Sequence, residues 1–219
     1  MKRLFIVVEG QTEQKFVSNL LAPYLFERFA ISAVTPVVIR TSKTGRGGFV
    51  NYQHLKRDIN RLLSSEKDDF VVSMFVDYFR CPTNFPGYAD KAWSDSKSHA
   101  HYMENRCAAD IGDSRFVPYI QMHEFEALLF SSNEAFEEYW EQKDSLKTAK
   151  IISDFPNPEE INHQRNTSPS NRILGIRPDY DKVNDGVIFA LTIGIERILT
   201  CCERFKRWVE LLTDKCKDL

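Results

Sequence analysis

Three acidic clusters stand directly after short apolar runs, and their chemistry is that of binding a hard cation. Glu9 closes the run Leu4–Val8; Gly10 follows it and Glu13 comes one helical turn later. Asp77 closes Phe70–Val76, and Glu124 and Glu126 follow Phe116–Ile120. If these runs are neighbouring parallel strands, the acids gather outside the carboxyl edge of one sheet, where open α/β proteins hold their ligands. Residues that end adjacent strands stand roughly 5 Å apart, so Glu9 and Asp77 can share a cation. Carboxylates that close repel one another unless neutralised, and Mg²⁺ or Mn²⁺ brings charge that prefers oxygen ligands. Glu124 is expected as the third ligand; Glu126, two positions on, faces elsewhere if the segment is helical. Taken singly, an acid at a strand end is more often a helix cap or a surface charge than a ligand, and Glu13 suits a first helical turn anyway. Recurrence at three equivalent positions carries the joint reading.

Cations and hydroxyls placed elsewhere suit a phosphate. The loop Thr41–Gly48 holds Lys43 and Arg46 among three glycines, a positive segment able to lie against phosphate, although it lacks the ending of a Walker A loop. Ser170, Arg172 and Lys182 lie in Thr167–Arg172 and Tyr180–Lys182. A lysine or arginine near a metal stabilises charge developing on phosphate oxygens. The plainer alternatives are an N-cap at Ser168 with Pro169 as the first helical residue, and a solvated lysine. His123 beside the glutamates reads as a half-buried histidine with a backbone partner rather than as an acid or base. No nucleophile elbow or Cys/His pattern supports covalent catalysis.

The elements that must position these residues alternate. Apolar runs at Leu4–Val8, Val34–Ile39, Phe70–Val76 and Phe116–Ile120 are short and rich in β-branched or aromatic residues. Helical patterns separate them: Thr12–Phe29, interrupted at Pro23, then Tyr52–Leu63 and Asp95–Ala109. That order predicts an α/β fold with a mainly parallel four-stranded sheet flanked by helices. The proline-rich loop Arg80–Gly87 is long enough to overhang a site. From Asn133 the pattern is helical, with Val187–Leu212 continuous. The expected division is an α/β core over residues 1–130 and a helical extension over 131–219, packed as one structural domain.

Bulk properties narrow the function classes. A chain of 219 residues with 42% hydrophobic and 27% charged residues supports one sizeable core. Net charge of -2 removes any global basic bias, so a nucleic acid must be met by a local patch or a partner subunit. No apolar stretch approaches the roughly 20 residues a membrane helix needs. The apolar run after Met1-Lys2-Arg3 is shorter than a signal peptide needs and ends at Glu9. Five cysteines without a CxxC pair read as reduced thiols in a cytoplasmic protein.

Val8-Glu9-Gly10-Gln11-Thr12-Glu13, Val76-Asp77-Tyr78, His123-Glu124-Phe125-Glu126, Pro169-Ser170-Asn171-Arg172 and Tyr180-Asp181-Lys182 follow one another in that order. Together they resemble, over nearly the whole chain, a bacterial domain-of-unknown-function family grouped with Toprim-like nucleases and related to the overcoming-lysogenisation-defect nucleases. The resemblance implies a Toprim-like fold that binds Mg²⁺ through a glutamate after the first strand and aspartates after the third. Glu9 matches that glutamate, Glu13 the second glutamate of the ExxxE pattern, and Asp77 the first aspartate of the DxD pair. Phe79 stands where the second aspartate belongs, so Glu124 or Glu126 is left to supply the missing ligand. Lys182 looks like the late lysine that such nucleases hold near the scissile phosphate. The resemblance also implies an ABC- or AAA-type ATPase partner encoded nearby, in an anti-phage system.

The combined expectation is a metal-dependent nuclease acting on DNA or RNA. Glu9, Asp77 and Glu124 hold the metal; Glu13, Glu126 and Lys182 complete the catalytic set; Lys43, Arg46, Ser170 and Arg172 hold the strand. The alternative is a catalytically silent binding or regulatory subunit of an ATPase complex, favoured by Phe79 and the near-neutral charge.

Overall fold

Each apolar run of the first half forms strand, and every strand pairs in parallel. The structure, a computed structural model, describes residues 3–41, 48–64, 69–90, 93, 95–161 and 166–217. Within them the chain runs β1 (Arg3–Val8), α1 (Gln11–Phe16), a π-helical turn (Val17–Leu21), α2 (Ala22–Phe29), β2 (Ala33–Val38), α3 (Tyr52–Leu63), β3 (Phe70–Asp77), α4 (Ser96–Ile111), β4 (Phe116–Val117) and β5 (Ile120–Gln121). A 3-10 helix (Phe125–Ser131) leads into α5 (Glu134–Tyr139), α6 (Gln142–Asp154), a short 3-10 turn (Pro158–Glu160), α7 (Pro169–Ile176), α8 (Asp185–Ile193), α9 (Ile195–Cys201) and α10 (Glu203–Lys217).

Strand order is β2-β1-β3-β4, with β5 also on β3. The expected fourth strand is therefore two pieces. Pro118, which has no N–H to donate, separates them, so β3 pairs first with Phe116–Val117 and then with Ile120–Gln121. Pro36 is tolerated in β2 because β2 is an edge strand. All eight residues of β3 are buried, as a central parallel strand covered on both faces requires.

Sequence and structure differ at two helices. The predicted helix through Pro23 persists, because a π turn at Val17–Leu21 widens the spiral just where the proline ring would strike the carbonyl of Asn19. The expected continuous helix Val187–Leu212 is instead three helices. Gly194, at φ 77°, ends α8, and Cys202 separates α9 from α10.

Alternation along the strands sends two apolar sets to opposite faces. Val7, Val72, Met74 and Val76 meet α3 and α4 through Leu55, Ile59, Ala100 and Met103. Leu4, Ile6, Val8, Val71 and Phe75 meet α1, α2 and the helical second half through Phe16, Leu25, Phe125, Phe189 and Phe205. The second half therefore completes the core. Glu159 accepts hydrogen bonds from the backbone N–H groups of Arg204 (2.8 Å) and Phe205 (3.0 Å), fastening the start of α10. Arg204 donates to Glu104 of α4 (2.7 Å), whose carboxylate also accepts from Ile120 N–H (2.8 Å). Trp208 stacks on Tyr119 at 4.6 Å and donates its indole N–H to Ser73 on β3 (2.9 Å). Among the described residues no helix is long and apolar enough to cross a membrane.

Trp208→Phe removes that buried donor and leaves a gap beside Phe75. It should lower the unfolding free energy by about 1–3 kcal/mol in urea titration. A loss below about 0.5 kcal/mol would mean that α10 is held by other contacts.

Candidate functional site

The parallel register brings the strand-end acids together. Val8 lies opposite Phe75, so Glu9 and Asp77 leave neighbouring strands within one residue of each other. Glu9 Oε2 reaches the backbone N–H of Asp77 at 3.5 Å. The turn after β1 is locked by Glu13, whose Oε2 accepts from Gly10 N–H at 2.9 Å, half of a capping box, leaving its other oxygen free to face inward. The third contribution arrives through β5. The N–H groups of Tyr78 and Phe79 donate to the carbonyls of Gln121 (2.9 Å) and His123 (2.8 Å), carrying the pairing past β5. The 3-10 helix then begins and turns Glu126 inward.

Lys182 meets these acids from the opposite side. Its Nζ lies 3.2 Å from Glu126 Oε2, 3.6 Å from Asp77 Oδ2 and 3.7 Å from Glu13 Oε1. Glu13, Asp77 and Glu126 are 3%, 6% and 0% exposed. The lysine sits in a tight loop closed by Asp181, which accepts from the N–H groups of Val183 (2.8 Å) and Asn184 (3.1 Å). Gly186 is needed behind that loop, since a Cβ there would stand 2.7 Å from Tyr180 Oη.

The electrostatics are unbalanced. Burial, followed by mutual repulsion, raises the pKa of Asp77 well above the ordinary carboxylate value against the pull of Lys182. Burial chiefly, then Glu13, raises Glu9; burial also raises Glu126. Burial works against the Lys182 ammonium too, but Asp77, Glu126 and Glu13 outweigh it and hold the proton more firmly than usual. Four carboxyl groups thus share one ammonium. Asp77 Oδ1 and Glu126 Oε1 are buried without a hydrogen-bond partner.

That shortfall suits a divalent cation. The donors are all oxygen, negative charge is in excess and two buried lone-pair carriers are unsatisfied. Among the described residues, however, no three acidic, histidine or cysteine side chains already converge as a metal cage. Lys182 stands among them instead.

Other expected residues lie as follows. Glu124 engages both oxygens with Ser170, one with its N–H and one with its hydroxyl, each at 2.9 Å. It therefore caps α7, while Ser168 holds the N-cap position without a side-chain cap bond. Arg172 donates to the Thr167 carbonyl (2.8 Å) and lies over the Phe155 ring (5.0 Å). Lys43 and Arg46 fall outside the described residues, but the chain on either side is fixed at the acidic corner: Ile39 N–H bonds Val8 O and Gly48 N–H bonds Glu9 O, each at 3.0 Å. His123 is buried, with Nε2 3.2 Å from the Glu159 carbonyl. The proline-rich loop packs onto the start of α3, where Asn84 accepts from Tyr52 N–H (3.1 Å) and Phe85 meets Tyr52 at 5.1 Å. Sequence reasoning quotes Tyr180 and Asp181 only as the flank of Lys182 and misses Gly186; the Asp-x-x-Asn spacing after a tyrosine is the available sign of a side-chain-closed turn.

The profile of one protein family, described as Domain of unknown function (DUF4276), matches residues 8–213. Among solved structures, the C-terminal region of the Burkholderia pseudomallei OLD protein superposes with a TM-score of 0.50 at 14% identity, covering 97% of this chain and 98% of that one. The C-terminal region of the Xanthomonas campestris pv. campestris OLD protein gives a TM-score of 0.47 at 16% identity, covering 99% and 97%. At such identities the likeness concerns the fold alone. No curated protein matches the sequence.

Two measurements probe this geometry. Gly186→Ala should cost about 1–3 kcal/mol by driving Tyr180 outward, and Tyr180→Phe in the same chain should recover part of it; equal stability of all three proteins would show that the loop has room. Glu9, Asp77 and Glu126 bind protons more tightly folded than unfolded, so their contribution is complete below the ordinary carboxylate range and is lost as pH climbs through the raised folded values. In EDTA, Asp77→Asn should therefore be more stable than wild type at pH 8, the gap closing toward about pH 4. Mn²⁺ should stabilise the wild type more at the higher pH. Chemical melts across that range decide it, and an Asn variant weaker throughout would refute the assigned repulsion.

Proposed function

This chain belongs to the DUF4276 family, and on that premise we propose that it is a metal-dependent nuclease cleaving phosphodiester bonds of DNA or RNA. The carrying observation is the buried acidic corner at the carboxyl ends of β1 and β3, short of positive charge and facing Lys182. The α/β architecture, shared at the level of fold with the OLD C-terminal region, supports the reading.

Glu9 and Asp77 would hold Mg²⁺ or Mn²⁺, with Glu126 as the third carboxylate in place of Glu124, whose oxygens are engaged by Ser170. When bound, the ion would polarise the phosphate and lower the pKa of an attacking water. The remaining work falls to side chains. Glu13 keeps the Gly10 turn closed so that Glu9 stays at the strand end. Lys182 carries a firmly held proton and, once the carboxylates are neutralised, can turn its ammonium to the phosphate oxygens. Lys43 and Arg46 would meet the backbone of the strand. Ser170 and Arg172 act indirectly, by setting α7 against Glu124 and Phe155. An ABC- or AAA-type ATPase, in a cytoplasmic anti-phage system, is the proposed partner.

Two observations favour a second reading, a binding or regulatory subunit without turnover. Lys182 already neutralises part of the corner, and Phe79 replaces the second aspartate of the resembling nucleases. The two separate cleanly. With Mn²⁺ and labelled DNA or RNA, Glu9→Ala or Asp77→Ala should reduce cleavage about a hundredfold or more while melting like folded protein. Undiminished cleavage by the double variant would remove the nuclease assignment. No cleavage by wild type, with calorimetry showing no metal uptake at millimolar Mn²⁺, would establish the silent subunit.

A further inference from the structure

A second polar feature lies away from the acidic corner. On the sheet face covered by α3, a half-open pocket of about 390 Å³ is lined by Arg3, Phe5, Val37, Arg40, Arg61 and Leu62, among others. It exists because α3 packs its Leu55, Ile59 and Leu63 over the inner strands, leaving Phe5, Val37 and Leu62 only partly covered beside the edge strand. Three arginines surround this apolar floor. Among the described residues none of the three guanidinium groups enters an ion pair. Asp58, the carboxylate in the lining, is already engaged: it accepts from Arg40 N–H (2.8 Å) and from Arg57 Nε (3.1 Å). Arg57 also bonds the Arg40 carbonyl, so the residue that carries one guanidinium is fixed at its backbone.

Guanidiniums that meet no carboxylate among the described residues, set around an apolar floor, select for a ligand that joins an anion to a flat apolar body. Guanidinium groups grip phosphate bidentately, and an aromatic ring accepts a stacked base regardless of its identity. The volume lies within the range of small-ligand sites. The position also matters, since Arg40 directly follows Ile39, whose N–H bonds the carbonyl of Val8, the residue before Glu9. We infer that this pocket binds a nucleotide, with phosphate among Arg3, Arg40 and Arg61 and the base against Phe5 and Leu62. The nucleotide comes either from a strand that continues for several nucleotides along the sheet toward Glu9 and Asp77, which rests on the nuclease reading, or as a free mononucleotide.

The test compares wild type with Arg40→Ala/Arg61→Ala in metal-free buffer, using anisotropy of a labelled oligodeoxythymidylate and calorimetry with AMP. A control, Lys150→Ala/Arg207→Ala, removes the same charge from distant surfaces. The pocket variant should bind the probe about tenfold more weakly per arginine, with a salt slope shallower by about one for each lost phosphate contact. The control should stay within about twofold. Arg61→Gln, on an exposed helical position, repeats the test should the double variant melt early. Loss confined to the oligonucleotide identifies the strand; loss for AMP as well identifies the free nucleotide; both support the pocket. Wild-type affinity in the arginine variants, or loss equal to that of the control, overturns it. The readings fail separately. Unchanged affinity with intact cleavage removes the pocket alone, whereas arginine-dependent binding without cleavage in any preparation removes the nuclease alone.

Discussion

Repulsion among carboxyl groups that the fold forces together is the constraint on which this structure turns. Parallel pairing of β1 with β3 fixes Glu9 and Asp77 side by side, and β5 adds Glu126 from the next position. Burial in such a place disfavours every negative charge. The Lys182 ammonium is the internal answer, and it reaches Glu13, Asp77 and Glu126 within 3.7 Å. It is also incomplete, since carboxyl groups outnumber it. A fold organised for stability alone would have placed apolar side chains here. Retention of the unfavourable arrangement is what gives the corner its chemical meaning.

The helical second half exists in this light for two reasons. It supplies the lysine, on a loop shaped by Asp181 and by the absence of a side chain at Gly186. It also covers the face of β3 that carries Phe75, through Phe205 and Trp208. Two buried acids fasten this half without belonging to the site: Glu159 at the start of α10, and Glu104 joining α4 to Arg204 and β5. Buried charge is thus put to two uses. Where donors are sufficient it ties elements together, and at the acidic corner, where they are not, buried carboxyl oxygens are left without partners.

What could be read from the sequence follows the range of the forces involved. Period-two and period-3.6 patterns report local burial, so α3 was located at Tyr52–Leu63 and Glu9 and Asp77 at strand ends. The charge of Lys182 and the family pattern single it out, and its seat among the acids follows only from three dimensions. Contacts between distant segments left no periodic trace. Glu124 and Ser170 are separated by 46 positions, and neither flank signals that the carboxylate would cap α7. The π turn that accommodates Pro23 and the division of the last helix at Gly194 depend on packing that no pattern shows. The arginine-lined pocket is illegible for the same reason, since Arg3, Arg40 and Arg61 come from β1, the segment after β2 and α3.

The bond between Trp208 and Ser73 has a consequence during synthesis. Strand β3 emerges from the ribosome early, yet one of its faces waits for residues lying 135 positions later in the chain. Until α10 has been translated, Phe75 and Tyr119 lack the cover that Phe205 and Trp208 give them in the finished protein. Native closure is therefore a late event, and an incomplete chain offers chaperones and neighbouring molecules a bare aromatic surface.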